Sequence, residues 1–333
     1  MDVGFSRAGF EIVWANDIDA DSCKTYEANH GGVIRCGDLR NFYDELKQHK
    51  GIDLVFGGPP CQGFSVAGKM DPSDERSKLV FNFMDVVEML EPEAFVMENV
   101  KALGFLDKWS LVRDDLMRRA LVLGYKFFKI TILNATEFGV PQKRERMFFV
   151  GIKNPKQEQL DIDAYIAKYK RKAPKVKEIL EALGEVGSPT NAKVCKARIT
   201  IAENPILRRS PYAGMLFNGA GRPIDINGYS NTLPASMGGN KTPIVDEMHL
   251  KGGESWVENY HSRLMNGEKA NYQEAPSFLR RITVDEAARL QTFPHEYVFH
   301  GRQNSVYHQI GNAVPGELAY AVAQAVRDIL QGV

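Results

Sequence analysis

Residues 52–65 read Ile52-Asp53-Leu54-Val55-Phe56-Gly57-Gly58-Pro59-Pro60-Cys61-Gln62-Gly63-Phe64-Ser65. The apolar run at the front of this stretch is short and ends at glycine, which predicts a buried strand of a parallel sheet. Pro60 fixes its own φ, and Pro59, as the residue before a proline, is kept out of helical space. Open α/β sheets bind ligands at the carboxyl ends of their strands. Cys61 is therefore either a buried structural thiol or a reactive group presented on a stiff turn.

The composition narrows the classes of protein to consider. The chain has 333 residues, 44% of them hydrophobic, which predicts one large domain or two smaller ones. It shows no apolar run of membrane-spanning length and no signal-peptide pattern, so we expect a soluble, cytoplasmic protein. Its four cysteines form no CxxC pair, which argues against a metal site and a disulfide framework.

Charge is balanced overall but uneven along the chain. The formal net charge is zero, so global electrostatics give no evidence for a nucleic-acid partner. Between residues 166 and 210, however, eleven Lys and Arg residues stand against four Glu. This segment could face phosphate, or it could be a solvated helix followed by a loop.

Two acids follow predicted strands near the start of the chain. Residues 11–15 predict a strand that ends at Asn16-Asp17, and residues 33–36 predict a second strand followed by Gly37-Asp38. In nucleotide-binding α/β units an acid at such a position accepts hydrogen bonds from a ribose diol. Asp17 could equally cap the next helix. Asp38 could receive an adenine amino group.

A second candidate catalytic group follows the strand after Cys61. Residues 79–90 predict a helix, residues 94–97 predict a buried strand, and Glu98 lies at the end of that strand. A right-handed crossover places such strands side by side, so a thiol and a carboxyl group would converge as nucleophile and general acid. Residues 62–78 are polar and aperiodic, which predicts a loop that closes over substrate.

Farther along the chain, the alternation of strands and helices and the residue composition both change. Arg144 and Arg146 alternate before a β run, so both could line one cleft or lie on the surface. From residue 185 to about 278 the βαβ alternation stops, and Gly, Asn, Ser and Pro become frequent, which indicates a second, irregular module. Helices are predicted again at 283–290 and 317–330.

Five segments, in this order, resemble motifs of one family. They are Pro59-Pro60-Cys61-Gln62-Gly63-Phe64-Ser65, Glu98-Asn99-Val100, Val140-Pro141-Gln142-Lys143-Arg144-Glu145-Arg146, the run from Arg281 to Pro294, and Gln309-Ile310-Gly311-Asn312-Ala313-Val314-Pro315. Together they cover nearly the whole chain and resemble the DNA (cytosine-5)-methyltransferases of bacterial restriction–modification systems. The resemblance implies a Rossmann-like α/β catalytic domain (residues 1–184, completed by 305–333) dependent on S-adenosylmethionine. A smaller target-recognition domain with its hinge would span 185–304.

The resemblance also implies roles for individual residues. Cys61 would add to C6 of a cytosine flipped out of the duplex, Glu98 would stabilise protonation of N3, and Arg146 would hold the base O2 with support from Arg144. Asp17 would bind the cofactor's ribose and Asp38 its adenine amino group. The remaining implied contacts are Ile18 and Leu39 at the adenine, Pro60, Asn312 and Ala313 at the methionine end, and Ser65, Lys69 and Thr232 at DNA.

The resemblance implies double-stranded DNA as the partner, a separately acting cognate restriction endonuclease, a monomer, and association with the nucleoid through DNA. One departure stands at the front. The family begins with an apolar strand and a Phe-x-Gly-x-Gly turn, whereas Met1 to Phe5 resembles only the family's segment after that turn. We expect a chain lacking that strand to bind S-adenosylmethionine poorly.

Three rival functions can be weighed against this interpretation. An RNA cytosine-5 methyltransferase shares the fold and the cysteine nucleophile, but a separate recognition module of about ninety residues favours duplex DNA. A DNA-binding relative that is inactive or impaired in cofactor binding would explain the departure at the front. A Rossmann dehydrogenase has no use for Cys61 and Glu98 together.

Overall fold

The computed structural model describes residues 1–60, 79–271 and 273–332. Cys61, Ser65, Lys69 and the predicted closing loop lie outside the described residues. The strands in chain order are β1 (Ala15–Asp17), β2 (Ile34–Cys36), β3 (Leu54–Gly57), β4 (Ala94–Val100), β5 (Phe127–Asn134), β6 (Gln142–Lys143), β7 (Glu145–Ile152), β8 (Ile201–Ile206), β9 (Met215–Phe217), β10 (Ser230–Asn231), β11 (Ile244–Asp246) and β12 (Leu279–Arg281).

The α-helices alternate with strands in the first half of the chain and cluster at its end. They are α1 (Asp2–Arg7), α2 (Ala20–His30), α3 (Tyr43–Leu46), α4 (Leu79–Leu90), α5 (Lys101–Phe105), α6 (Ser110–Val122), α7 (Ile162–Ala167), α8 (Val176–Leu183), α9 (Glu247–Leu250), α10 (Trp256–Met265), α11 (Val284–Leu290), α12 (Gln303–Asn312) and α13 (Gly316–Gln331). No helix among the described residues is long and apolar enough to cross a membrane.

The main sheet has four strands in the order β3-β4-β7-β5. β3 and β4 run parallel, with Gly57 opposite Met97, and α4 lies between them in sequence, as predicted. β7 is antiparallel to both of its neighbours. β4 extends three residues beyond the predicted strand, so Glu98 lies within the strand and pairs with Phe148 on β7.

Side-chain alternation on β4 separates two cores. Ala94 and Val96 face a cluster that includes α13, whereas Phe95 and Met97 face a cluster that includes α4 and α6. Because neighbouring strand residues point to opposite faces, a strand of this kind needs apolar residues throughout. Helix α1 packs on α13 so closely that a Cβ at Gly4 would lie 2.4 Å from the Tyr320 backbone nitrogen.

β1 and β2 form a separate parallel pair, with Asp17 opposite Cys36. Within the described residues this pair has no ladder to the four-stranded sheet. The Asn16 amide donates to the carbonyls of Arg35 and Gly37 and so ties the end of β1 to the turn after β2. The two strand ends that carry Asp17 and Asp38 are therefore neighbours.

The segment after α8 is irregular, as predicted, but it contains regular elements that the sequence patterns did not indicate. Helix α10 packs beside β8 and β9 in one apolar cluster. Helix α12 contributes Val306, Tyr307 and Ile310 to another cluster, together with residues of α8 and α11. Neither α10 nor α12 was predicted from the sequence. Glycine and proline are frequent in the loops of this part of the chain, and the two short helices between them were not recognised.

Candidate active site

Glu98 and Arg146 form an ion pair at the end of β4. Arg146 Nε lies 2.9 Å from Glu98 Oε1, and their side chains are only 14% and 11% exposed. The sheet register explains the pair. Arg146 on β7 lies opposite Val100 on β4, and Glu98 is two residues before Val100, so both side chains lie on the same face of the sheet. The structure thus brings together two of the residues predicted to act on the base.

The surroundings of Glu98 favour its protonated form. Burial raises the pKa of the Glu98 carboxyl group, and the positive charges of Arg146 and Arg144 oppose that shift. A buried carboxyl group with a raised pKa can share a proton with a ring nitrogen more readily than an exposed one. The surroundings of Glu98 therefore favour proton binding more than those of an exposed glutamate do.

The turn that leads to Cys61 is attached to the same strand end. The Asn99 side-chain amide donates to the carbonyl of Pro59 at 3.1 Å, and its oxygen accepts from the backbone N–H of Val100. Gly58 lies close to the Glu98 carboxyl group, since a Cβ added at Gly58 would be 3.2 Å from Glu98 Oε2. Pro60 is the last described residue before Cys61 and is exposed. The described turn therefore approaches Glu98 directly.

Arg144 has a different setting from Arg146. It is 1% exposed and donates to the main-chain carbonyls of Leu233, Gly311 and Ala313. These carbonyls come from segments far from Arg144 in sequence. The structure thus makes Arg144 a positioning residue at a junction, close enough to lower the pKa of Glu98 by its charge.

The short strand β10 pairs in parallel with β6 beside this junction. The Thr232 hydroxyl donates to the carbonyl of Lys143 at 2.7 Å, and Gln142 accepts from the Leu233 N–H. Thr232 is exposed, whereas Leu233 is buried. The Thr-Leu pair is therefore tied to the segment that carries Arg144 and Arg146.

Sequence reasoning missed two buried glutamines. Gln142 and Gln291 are both fully buried and bond to each other at 2.6 Å, while Gln291 also donates to the carbonyls of Ile310 and Ala313. Both lie inside motifs that the sequence analysis quoted. No local pattern marks either residue, because Gln142 directly precedes a charged run and Gln291 lies between Leu290 and Thr292. Both are buried because distant partners satisfy their amide groups.

The predicted cofactor acids lie on the β1–β2 pair. The Asp17 side chain is solvent-exposed, yet partial desolvation by the surrounding protein raises its pKa, and the N–H of Asp19 donates to it at 2.8 Å. Asp38 is paired with Arg40, which lowers the pKa of this carboxyl group to about 2. Each carboxyl group has two oxygens, which together can accept more hydrogen bonds than those already made here.

The other predicted cofactor residues divide between the two ends of the chain. Ile18 is 74% exposed beside Asp17, and Leu39 begins a 3₁₀ helix directly after Asp38. Asn312 ends α12, and its amide lies 3.2 Å from the nearer ring nitrogen of His308. Ile18 is exposed and lies between Asp17 and Asp19 in sequence. This arrangement suits a ligand that combines an apolar ring with hydroxyl and amino donors, as S-adenosylmethionine does.

An open cavity of about 560 Å³ lies between the start of α2 and residues 300–305. None of the residues predicted to bind the cofactor lines it. Among the described residues no cluster of His, Cys, Asp or Glu could hold a metal ion.

A network behind the site joins β12 to α11. Arg280 forms a bidentate pair with Glu286, both bonds at 2.7 Å, and Glu286 completes a capping box with Thr283. Arg281 is 1% exposed and donates to the carbonyl of Thr242 and to Asn218. These residues hold the irregular segment in place, as buried ion pairs and caps do.

Comparison with solved structures defines the fold. The fold matches the Dnmt2 methyltransferase of S. pombe over 100% of this chain and 95% of that one, with a TM-score of 0.69 and 18% sequence identity. The architecture is thus a Rossmann-like α/β fold with a smaller irregular module.

The sequence comparisons define the family. The model of the C-5 cytosine-specific DNA methylases matches residues 1–328, and the chain belongs to this family. It is 31% identical to Type II methyltransferase M1.HphI of Haemophilus parahaemolyticus, covering 97% of this chain and 82% of the relative. It is 30% identical to Type II methyltransferase M.FnuDI of Fusobacterium nucleatum, covering 99% and 92%. The protein is a DNA (cytosine-5)-methyltransferase that uses S-adenosylmethionine, which confirms the predicted activity and cofactor.

Proposed function

We propose that the protein methylates a flipped-out cytosine within a specific duplex DNA sequence through a covalent bond between Cys61 and C6. The thiolate of Cys61 forms the S–C6 bond, and the electron pair of the C5–C6 double bond moves to C5. When bound, S-adenosylmethionine would supply an electrophilic methyl group: the C5–CH3 bond would form as the S–CH3 bond breaks, and S-adenosylhomocysteine would leave. Loss of the C5 proton then re-forms the double bond and expels the Cys61 thiolate.

The pairing of Glu98 with Arg146 is the observation that supports this proposal most strongly. Glu98, with its raised pKa, would share a proton with N3 and draw electron density out of the ring, which makes C6 electrophilic. Arg146 would donate to O2, since its guanidinium group keeps further donors beyond the one bonded to Glu98. Arg144 would act by holding the segment that carries Arg146.

For the cofactor we propose the residues at the two neighbouring strand ends and the end of α12. Asp17 would accept from the ribose hydroxyls and Asp38 from the adenine amino group. Ile18 and Leu39 would flank the ring. Pro60, Asn312 and Ala313 would lie near the methionine end. The exposed apolar surface of Ile18 beside a carboxylate supports this arrangement.

We further propose a division of labour along the chain. Residues 1–184 with 305–333 would form the catalytic part, and residues 185–304 would read the DNA sequence. Ser65, Lys69 and Thr232 would contact DNA. A base stacked in the duplex cannot reach a thiol, so the target cytosine would have to leave the duplex. The exposed position of Thr232 beside the Arg144 segment supports its part in this contact.

The names of the relatives support a place in restriction–modification. We propose that the protein protects the site of a separately acting cognate endonuclease and that it works as a monomer, since one chain carries every predicted site residue. It would be cytoplasmic and associated with the nucleoid through DNA.

Trapping of the covalent adduct tests the mechanism. A duplex containing 5-fluorocytosine at the target blocks the last proton loss, so the protein should remain bound to it through denaturing electrophoresis. Cys61→Ser should abolish the adduct, and Cys36→Ser, which changes an exposed cysteine, should leave it intact. Absence of an adduct with active wild-type protein would contradict the covalent route.

Substrate competition separates DNA from RNA. Methyl transfer to duplex oligonucleotides should exceed transfer to tRNA, and bisulfite sequencing of DNA from cells that express the protein should show methylation confined to one sequence. Preferential methylation of tRNA would favour the alternative function, and methylation without sequence preference would contradict a recognition role for residues 185–304.

A further inference from the structure

Two free cysteines lie close together at the end of the β1–β2 pair. Cys36 is the last residue of β2, and it lies opposite Asp17 in the parallel ladder. Cys23 lies near the start of α2, the helix that follows β1. Both are free thiols in the structure, and Cys36 is exposed whereas Cys23 is buried. The fold therefore brings two thiols that are distant in sequence to one strand end.

One main-chain oxygen shows how near the two cysteines are. The carbonyl of Asp17 accepts from the Gly37 N–H at 2.9 Å, and it also accepts from the Cys23 thiol, whose sulfur is 3.3 Å away. Gly37 is the residue directly after Cys36. The Cys23 sulfur is thus held beside the backbone at Cys36 by an acceptor that the two segments share.

Further hydrogen bonds fix the backbone around both thiols. The Asn16 amide donates to the carbonyls of Arg35 and Gly37, the residues on either side of Cys36, at 2.8 Å and 2.9 Å. Cys23 lies inside the capped first turns of α2. The two side chains are therefore presented by regular elements, which keep them near each other in the folded protein.

The two thiols differ in access and in acidity. Burial, with a smaller contribution from the neighbouring Cys36 thiol, raises the pKa of Cys23 to about 12, so Cys23 is protonated at neutral pH. Cys36 is exposed, so an oxidant in solution reaches it first. Cysteines that sense oxidants are typically accessible to solvent and often lie next to a second thiol that completes the reaction.

We propose that Cys23 and Cys36 form a modification site at which a peroxide produces a reversible disulfide. The Cys36 thiolate attacks one oxygen of hydrogen peroxide, the O–O bond breaks, and a sulfenic acid forms while the departing hydroxide takes up the proton that Cys36 lost. The Cys23 sulfur then attacks the Cys36 sulfur. The S–S bond forms, the S–O bond breaks, and the hydroxide leaves as water with the Cys23 proton. Two thiols are oxidised, and one peroxide is reduced to two water molecules.

The disulfide would join α2 to β2 at the strand ends that carry the proposed cofactor acids. Asp38 follows Cys36 by two residues, and the Asp17 carbonyl would lose the Cys23 donor but keep the Gly37 N–H. In the cytoplasm, disulfides of this kind are transient because glutathione and thioredoxin reduce them. Neither the cofactor nor DNA takes part in this chemistry, so the oxidation can be tested apart from methyl transfer.

Oxidation of the full-length Cys61→Ser variant tests the pair without interference from the proposed nucleophile. After treatment with excess hydrogen peroxide, alkylation in denaturant without reductant should label one cysteine, Cys195, and the intact mass should show the loss of two hydrogens. Trypsin cleaves between the two oxidised cysteines at Arg35, so they should appear in two peptides joined by the disulfide. Dithiothreitol should then restore both thiols.

Single substitutions in the same variant provide the controls. Cys36→Ser should leave Cys23 and Cys195 open to alkylation after the peroxide treatment. Cys195→Ala removes a buried cysteine elsewhere in the chain and should leave the disulfide intact. Retention of all three thiols, or a Cys36 sulfenic or sulfinic acid beside a free Cys23, would overturn the proposal. A disulfide that includes Cys195, or one between two chains, would overturn it as well, since the native fold would then not hold the pair together.

Discussion

At the scale of single residues, burial and the positive charges of Arg146 and Arg144 together set the pKa of Glu98. The carboxyl group lies inside a sheet strand, where desolvation favours its neutral form, and Arg146 at 2.9 Å favours its charged form. Burial dominates, so its pKa is raised. This raised pKa is consistent with the proposed role of Glu98 as an acid, since general acids in enzymes often have pKa values raised by burial.

Glu98→Gln should reduce methyl transfer by about a hundredfold or more, because a positioned acid contributes typically 10²–10⁴-fold. Duplex binding should change little, since the amide keeps the shape of the side chain. Initial rates with labelled cofactor and a binding assay would measure both. Glu93→Gln, an exposed carboxylate at the start of the same strand, is the control. A loss below tenfold would contradict an acid role for Glu98.

Stability should depend on pH through the same residue. Because its folded pKa is raised, the contribution of Glu98 to stability is complete below the unfolded value, about 4.3, and is lost as the pH rises through the folded value. The unfolding free energy of wild type minus that of Glu98→Gln should therefore fall as the pH rises from about 4 to 8. Urea denaturation across this range would test the sign, and a rising difference would contradict it.

At the scale of elements, the ends of strands hold the predicted site residues in place. The end of β4 carries Glu98 and also holds, through Asn99, the turn that runs from Pro59 to Cys61. The β1–β2 pair carries Asp17 and Asp38 at adjacent ends. Parallel strands bring their carboxyl ends to one edge, so residues distant in sequence meet there.

Asn99→Ala should remove the bond to the Pro59 carbonyl and leave the turn before Cys61 less constrained. We expect a loss of about 1–3 kcal/mol in unfolding free energy and at least about tenfold in kcat, since a small displacement of a nucleophile is costly. Asn154→Ala, an exposed asparagine after β7, should change neither. Unchanged rates of adduct formation with a 5-fluorocytosine duplex would contradict a positioning role.

Asp38→Asn should weaken S-adenosylmethionine binding by about tenfold, because the amide replaces one acceptor oxygen with a donor facing the adenine amino group. Asp53→Asn is the matched control, since Asp53 is exposed just before the start of β3 rather than at a strand end. Calorimetric titration with the cofactor would compare them. Equal affinities of the two variants would exclude Asp38 as an adenine ligand.

At the scale of the whole molecule, three distant segments meet at one guanidinium group. Arg144 bonds to carbonyls at 233, 311 and 313, and Gln291 links Gln142 to residues 310 and 313. The irregular segment, the α12 end and the base-site strand are thus held by buried polar bonds. Such bonds are strongly unfavourable to break, because the carbonyls left behind are buried and unpaired.

Arg144→Ala should destabilise the protein by at least about 3 kcal/mol, because several bonds from a charged donor to buried carbonyls are lost together. Arg144→Lys should restore part of this loss, since an ammonium cannot reproduce the planar fork of donors. Arg118→Ala, at an exposed site on α6, should stay within about 0.5 kcal/mol. Denaturant unfolding would measure all three, and a near-neutral Arg144→Ala would contradict the junction.

Much of the fold can be predicted from local sequence patterns. The apolar run before Gly57 and the helix from Leu79 to Leu90 are local signals, and the structure confirms both of them. The ordered motifs also determine the family, the activity and the cofactor. Helices α10 and α12 could not be predicted in the same way. Their short apolar faces become recognisable only against the elements that they cover.

The sequence by itself therefore determined which residue types this protein brings to its site, because strand ends, caps and motifs are properties of neighbouring residues. Only the tertiary structure decided how those residues divide their work. Arg144 and Arg146 are two residues apart and look alike in sequence, yet one bonds to three main-chain carbonyls and the other to Glu98. That difference depends on partners from distant segments, and local sequence patterns cannot predict which distant residues will be in contact.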